Sequence, residues 1–191
     1  MNRMKTALNE SIRLREEMLS DTAVLEKIHL AAEAMIHAFR SDGKVLFCGN
    51  GGSAGDAQHI SAELSGRFKK DRKPLFAEAL HVNSSFMTAV ANDYGFEETY
   101  ARMTEAMGRK GDVWVGLSTS GNSKNVVRAL QKAKDLGMTT IAMLGEADGA
   151  MGAVADIAIH VPSSDTARIQ ELHITIGHVL CEEIEAQLFA G

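Results

Sequence analysis

The sequence is poor in the features that mark several common classes of protein. Its 191 residues include two prolines and two cysteines, and no run of eighteen apolar residues occurs. Without such a run, no membrane-spanning helix and no membrane partner are expected. Cys48 and Cys181 lie far apart in apolar surroundings. This favours buried, reduced thiols over a disulfide and suits a cytoplasmic protein.

An excess of basic residues is also missing. The formal net charge of −5 argues against a general nucleic-acid-binding surface. The single basic cluster is "RFKKDRKP" at 67–74, which we expect to be a solvated loop. The first twenty residues are rich in charge and do not resemble a secretion signal. The chain is long enough for one substantial core and has no evident linker, so a single domain over 1–191 is expected.

Hydrophobic periodicity predicts two helices at the start of the chain, within residues 1–42. Met4, Leu8 and Ile12 recur every four residues and predict a first amphipathic helix. A second helix is predicted over about 24–39, with Ser20 or Asp21 as its N-terminal cap and a glycine, Gly43, after its end.

Beyond residue 43, short apolar strands alternate with helices. The predicted strands are "KVLFCG", "LFAEALHV", "DVWVGLS", "TTIAMLG" and "DIAIHV". The predicted helices cover 54–65, 125–136, a short segment near residue 151, and 166–189. Buried strands that alternate with helices predict an α/β fold in which a parallel sheet is covered on both faces.

Two loops should meet at the carboxyl edge of this sheet, where such folds bind ligands. "GNGGSAGD" follows the first strand, and "STSGNS" follows the third. The second loop combines several hydroxyls with the free N–H groups of a helix N-terminus, which suits a phosphate. The first loop fits neither a P-loop nor G-x-G-x-x-G, so a nucleotide cofactor is disfavoured.

His59 and Glu63 lie four residues apart on the helix that follows the first loop. Residues at this spacing share a helix face, so the two side chains can act together in acid–base chemistry or metal binding. A weak surface pair is the alternative that the spacing alone allows.

Four motifs in order identify a resemblance that covers essentially the whole chain: "CGNGGSAGDAQHISAELSGR", "VANDYGF", "STSGNS" and "DTARIQELHITIGH". Together they resemble the phosphoheptose isomerases, a family of sugar isomerase (SIS) domain proteins. The resemblance implies a flavodoxin-like, three-layer α/β/α sandwich with a five-stranded parallel sheet, in which helices over 1–42 precede a core over 43–191. It also implies a homotetramer with active sites at subunit interfaces and one zinc ion per subunit.

The activity implied by the resemblance is aldose–ketose isomerisation of a phosphorylated seven-carbon sugar. Sedoheptulose 7-phosphate would become D-glycero-D-manno-heptose 7-phosphate, the first step toward the ADP- or GDP-heptose used for lipopolysaccharide or related glycans. Such a reaction moves one proton between adjacent carbons through an enediolate. It requires a base close to the carbon and an acid–base group for the oxygen or the second carbon.

The resemblance also implies roles for individual residues. The catalytic pair would be Glu63 and His178. The metal ligands would be His59, Glu63, Gln170 and His178. The substrate-binding residues would be Asn50, Gly51, Gly52, Ser53, Glu63, Asn92, Asp93, Ser118, Thr119, Ser120, Ser123 and Gln170.

Either of two histidines on the last predicted helix could be the metal ligand. Spacing alone favours His173, which follows Gln170 by three residues, whereas the resemblance favours His178. Gln170 and His178 would lie about 12 Å apart along a helix axis. Their side chains would have to lean together, the helix would have to begin after Gln170, or two subunits would have to share the site. The remaining histidines, His29, His37, His81 and His160, are expected to be structural.

Gly177 departs from the family pattern, which usually has a larger apolar residue there. Because glycine weakens a helix interior by about 1 kcal/mol relative to alanine, we expect close packing of a neighbouring helix at this position.

Two other classes of function are alternatives to an isomerase. A non-catalytic SIS protein of the replication-initiator-associating type would bind a protein partner, but the presence of both Glu63 and His178 favours an enzyme. A phosphosugar-sensing regulator would carry a DNA-binding module, and the first 40 residues are too short and too acidic for one.

Overall fold

A computed structural model describes residues 1–190 of the chain. The helices are α1 (Asn2–Ser20), α2 (Thr22–Arg40), α3 (Gly52–Ser65), α4 (Ser84–Tyr94), α5 (Thr99–Met107), α6 (Lys124–Asp135), α7 (Gly149–Gly152) and α8 (Thr166–Leu188), with a 3₁₀ turn at Phe96–Glu98. The strands are β1 (Val45–Gly49), β2 (Ala77–Ala79), β3 (Val113–Ser118), β4 (Thr139–Leu144) and β5 (Ile157–His160). None of the helices over 1–190 is both long enough and apolar enough to cross a membrane.

The five strands form one parallel sheet in the order β2-β1-β3-β4-β5. Alternate residues of each strand enter two separate apolar clusters, one on each face. On β1, Phe47 packs with α2, α3 and α8, whereas Leu46 packs with α5 and α6. The predicted five-stranded, three-layer α/β/α sandwich with a helical N-terminal extension is therefore confirmed.

The start of α2 is capped by a side chain, as the sequence predicted. The Asp21 carboxylate accepts hydrogen bonds from the backbone N–H groups of Ala23 and Val24, so Asp21 rather than Ser20 caps the helix. Both cysteines are buried free thiols, as expected.

Three features between β1 and β3 differ from the sequence prediction. The edge strand β2 has three residues instead of the eight predicted, because it pairs with β1 alone. The helices α4 and α5 were not predicted. Val90 is the one buried residue of α4, and the buried face of α5 includes two threonines, so neither helix shows an apolar stripe in its sequence.

The basic segment 67–74 is not the freely solvated loop that its composition predicted. The side chains of Arg72 and Glu185 form an ion pair at 2.9 Å and are 2% and 3% exposed. Five of the eight residues are exposed, as predicted, but the prediction was wrong for Arg72 because its acidic partner belongs to α8, more than one hundred residues later in the chain.

Helices α3 and α8 lie side by side and run in the same direction. A Cβ added to Gly52, at the start of α3, would lie 2.6 Å from the side-chain amide of Gln170. A Cβ added to Gly177 would lie 2.6 Å from Cγ1 of Ile60 and closer still to Cδ1 of that side chain. The close packing expected at Gly177 is confirmed.

Replacement of Gly177 by alanine should therefore destabilise the protein despite the better helix propensity of alanine. Overpacking costs about 1–3 kcal/mol, against a propensity gain of about 1 kcal/mol. Gly55→Ala is the matched control, because nothing lies within 4 Å of a Cβ at that position in α3. Urea denaturation should show a lower free energy of unfolding for Gly177→Ala and an equal or higher one for Gly55→Ala. Equal gains in both variants would contradict the close packing.

Candidate active site

The two ligand loops predicted from the sequence lie next to each other at the carboxyl edge of the sheet. Strands β1 and β3 are hydrogen-bonded neighbours; β1 ends at Gly49, opposite Leu117, and β3 ends one residue later at Ser118. The loop after β1 leads into α3, and the loop after β3 leads into α6. A single small molecule can therefore contact both loops.

The glycines of the first loop are required by the backbone and by a close neighbour. Gly51 has a φ of +58°, a conformation that side-chain-bearing residues rarely adopt. Gly52 leaves the space that the amide of Gln170 occupies. Beneath the turn, the buried Tyr100 donates a hydrogen bond from its hydroxyl to the carbonyl of Gly49. The turn is thus held by Tyr100 at Gly49 and by Gln170 at Gly52.

A pair of asparagine side chains joins the two loops. The amide nitrogen of Asn50 donates to Oδ1 of Asn125 at 2.8 Å, and the amide nitrogen of Asn125 donates to Oδ1 of Asn50 at 2.9 Å. Asn125 is buried at the start of α6 and was missed by the sequence reasoning. The amide of Asn50 keeps one N–H donor and one oxygen lone pair beyond the pair, so Asn50 can also bind a ligand while it joins the loops.

The second loop presents hydroxyl groups at the N-terminus of α6. The hydroxyls of Ser118 and Ser123 lie 3.1 Å apart, and that of Ser120 accepts a hydrogen bond from the N–H of Asn122 at 3.2 Å. A neighbouring cavity of about 270 Å³ is lined by Thr119, Ser120, Glu146, Ala147, Ser163, Ser164 and Thr166. Hydroxyls and backbone N–H groups in this arrangement suit a phosphate.

His59, Glu63 and His178 come together in the groove between α3 and α8; we call them the His–Glu group. Nε2 of His59 lies 3.2 Å from Oε1 of Glu63 and 3.2 Å from Nε2 of His178. One potential ligand atom from each residue lies within 4.8 Å of the others. All three side chains belong to one chain, so no second subunit is needed to bring them together.

The donor set of the His–Glu group fits a zinc ion. Two imidazole nitrogens and a carboxylate oxygen are ordinary zinc ligands, bound at about 2.0–2.2 Å. Tetrahedral ligands at that distance lie about 3.3 Å from one another. The two 3.2 Å separations match this spacing.

Comparison with known proteins identifies the family. The model of the SIS domain matches residues 8–145. A phosphoheptose isomerase of Helicobacter pylori strain P12 is 51% identical over 181 residues, which cover 95% of this chain and 90% of that protein. The chain belongs to the phosphoheptose isomerase family. A phosphoheptose isomerase of Mycobacterium tuberculosis is 48% identical, with 95% of this chain and 92% of that protein covered.

Solved structures agree with this family assignment. The structure of a phosphoheptose isomerase from Neisseria gonorrhoeae superposes with a TM-score of 0.91 at 42% identity, covering 97% of this chain and 98% of the other. The sugar isomerase domain of a transcription factor from Sphaerobacter thermophilus has a TM-score of 0.67 at 18% identity. That second likeness shows only that the two proteins share a fold.

The structure separates the two histidines of α8 between which spacing alone could not decide. His178 is part of the His–Glu group, whereas His173 is fully buried, with Nε2 3.1 Å from the carbonyl oxygen of Leu144. Burial lowers the pKa of His173 to about 4. Its ring is therefore neutral near pH 7 and connects α8 to the end of β4.

Gln170 and the pair Asn92–Asp93 lie apart from the His–Glu group. Gln170 is within α8 and contacts Gly52 at the opposite end of α3, about 12 Å along the helix axis from His178. Asn92 and Asp93 are exposed near the end of α4, where the amide of Asn92 donates to the carboxylate of Asp93 at 2.8 Å. The geometry of this chain does not test the family roles of these three residues.

Asp56 is a further polar residue near the site that sequence reasoning missed. Its Oδ2 is buried and has no hydrogen-bond partner. Burial raises the pKa of this carboxyl to about 6, and the nearby His59 opposes the shift. The available signal was its position three residues before His59, on the same face of α3.

Proposed function

We propose that this chain is the aldose–ketose isomerase that interconverts sedoheptulose 7-phosphate and D-glycero-D-manno-heptose 7-phosphate, a step in heptose biosynthesis. The observation that carries the proposal is the His–Glu group. In a chain of the phosphoheptose isomerase family, it brings together a carboxylate and two imidazoles, two of them on the helix that follows the first of two loops suited to a phosphorylated sugar. Supply of heptose to lipopolysaccharide or a related glycan follows from the same activity.

The residues of the proposed site divide the reaction between binding and proton transfer. Ser118, Ser120 and Ser123, with the N–H groups at the start of α6, would hold the phosphate. This remote anchoring positions the reacting end of the sugar against the His–Glu group.

Glu63 is the base that removes the proton from carbon and returns it to the adjacent carbon. His178 exchanges a proton with the sugar oxygen as the enediolate forms and collapses; with zinc on Nε2, this proton would be carried by the other ring nitrogen, Nδ1. Proton transfer by positioned groups of this kind contributes about 10²- to 10⁴-fold to the rate.

One zinc ion per subunit is part of the proposal. His59, Glu63 and His178 would hold it. The family resemblance implies Gln170 as the fourth ligand; because Gln170 of the same chain lies about 12 Å along α8 from His178, that ligand would come from a second subunit. When bound, a zinc ion polarises a carbonyl and stabilises negative charge on adjacent oxygens. Glu63 has two carboxylate oxygens, so one can bind the ion while the other accepts a proton.

A homotetramer in the cytoplasm completes the proposal. Met4, Leu8 and Ile12 on α1 are 72%, 65% and 55% exposed and form an apolar stripe that a second subunit can cover. The buried free thiols of Cys48 and Cys181 suit a reducing compartment. No observation favours the partner-binding alternative, and the His–Glu group supports an enzyme.

Glu63→Gln should abolish turnover of sedoheptulose 7-phosphate while substrate binding persists. The amide keeps the shape of the side chain but cannot accept the proton from carbon, so kcat should fall at least about 10²-fold. Glu26→Gln, an exposed position on α2, is the control and should leave kcat unchanged. Near-normal turnover by Glu63→Gln would rule out Glu63 as the base.

Metal analysis should separate the two histidines of α8. The purified protein should contain about one zinc per subunit, because the His–Glu group has the ligand number and spacing of a zinc site. His178→Ala should lose the metal, and His173→Gln should retain it. Chelation should abolish activity, and added zinc should restore it. Zinc loss from His173→Gln alone would contradict the assignment.

A further inference from the structure

A buried carboxylate on α8 holds the loop that follows α3. The side chain of Glu185 is 3% exposed. It accepts hydrogen bonds from the backbone N–H groups of Phe68, Lys69 and Lys70 at 3.2, 3.0 and 3.1 Å. Three consecutive N–H groups directed at one carboxylate fix the conformation of the loop, residues 66–74, against α8.

The guanidinium of Arg72 connects the same carboxylate to the end of α3. Its Nε donates to Glu185 at 2.9 Å, and its terminal nitrogens donate to the carbonyls of Leu64 at 2.7 Å and Glu63 at 2.8 Å. Arg72 thus satisfies carbonyl groups at the C-terminus of α3, which have no partner within the helix.

The buried pair stays ionised. Burial alone would raise the pKa of Glu185, but the three backbone N–H groups and Arg72 outweigh burial and lower this pKa below its usual value. Replacing a buried ion pair by well-packed apolar residues is often neutral or stabilising. Stability alone is therefore a weak reason for two charges at this position.

The loop and the ion pair contact both members of the acid–base pair. The ring of Phe68, held by the loop, stacks on the imidazole of His178 with centroids 5.7 Å apart and planes at 20°. On the opposite side of the groove, Arg72 holds the backbone carbonyl of Glu63. One buried charge cluster thereby contacts Glu63 at its backbone carbonyl and His178 through an aromatic ring.

We propose that the Glu185–Arg72 ion pair positions the acid–base pair, setting the orientation of His178 through Phe68 and the place of Glu63 through its carbonyl. The inference rests on the proposed isomerase function. The side chains of Glu185 and Arg72 are buried away from solvent, so both are proposed as positioning residues. A misplacement of about 1 Å in a catalytic group can lower a rate by about 10²-fold, so such a device has a measurable effect.

The chain contains a matched control for this proposal. Lys69 and Glu182 form a second ion pair between the same loop and the same helix, but their side chains are 58% and 59% exposed. Exposed pairs of this kind contribute little. Glu182→Gln therefore tests the loss of a charge from α8, whereas Glu185→Gln tests the loss of the buried carboxylate.

The experiment compares Glu185→Gln and Glu182→Gln by two measurements. The first is kcat and KM for sedoheptulose 7-phosphate with zinc present. The second is the NMR spectrum of the protein with ¹³C-labelled histidine, in which the stacked Phe68 ring shifts the signals of His178. Glutamine offers one acceptor oxygen to four donors, so the loop should lose its fixed position.

For Glu185→Gln we expect kcat to fall at least about tenfold with KM changed less than about twofold, and the His178 signals to move. Glu182→Gln should behave as wild type in both measurements. A merely structural ion pair would lower the melting temperature of Glu185→Gln without changing kcat or the His178 signals, and that result would overturn the proposal. A change in one of the two measurements without the other would also overturn it.

If Glu185→Gln does not fold, Phe68→Leu provides the test. This variant keeps apolar volume in the loop but removes the ring that stacks on His178. Its kcat should fall while zinc content and KM are retained, and a wild-type kcat would overturn the proposal. If the wild-type protein does not turn over the sugar phosphate, the proposed function fails. The His178 signals of Glu185→Gln and Glu182→Gln then decide the positioning on their own.

Discussion

The close parallel packing of α3 against α8 is the constraint on which the rest of the site depends. Glycine stands at two places where a side chain would keep the helices apart, at Gly52 beside Gln170 and at Gly177 beside Ile60. Because the helices approach so closely, His59 and Glu63 of one meet His178 of the other, and the loop that follows α3 adds the Phe68 ring that stacks on His178. Rigid elements thus carry the proposed chemistry, which suits proton transfer between fixed groups.

Binding and chemistry occupy different parts of the same helix pair. The N-terminus of α3 lies at the sheet edge, where the amide pair of Asn50 and Asn125 fixes the two ligand loops to each other. The His–Glu group lies two turns further along, a distance of about 10 Å. The first ligand loop and the proposed acid–base residues are therefore held at different positions along one helix.

Much of this arrangement could be predicted from the sequence, because its signals are local. Buried strands such as β3 and β4 are apolar runs, and the glycine turn and the pair His59–Glu63 lie within one short segment. What could not be predicted depends on residues distant in the chain. Asn125 joins the two ligand loops only because it pairs with Asn50, 75 residues away. The charged segment that contains Arg72 has the composition of a solvated loop, and only the folded chain brings Glu185 against it. The choice between His173 and His178 depends on which face of α8 is turned toward α3, and residue spacing does not specify that face.

The central claim is that a single chain supplies both members of the acid–base pair. Subunit exchange between the inactive variants Glu63→Gln and His178→Ala tests this claim most directly, with mixed oligomers verified by mass spectrometry. Since both residues lie in the same α3–α8 groove, every hybrid site should lack one of them, and activity should stay at the level of the separate variants. Recovery of activity in the mixed oligomers would show that the two residues act from different chains and would contradict the account.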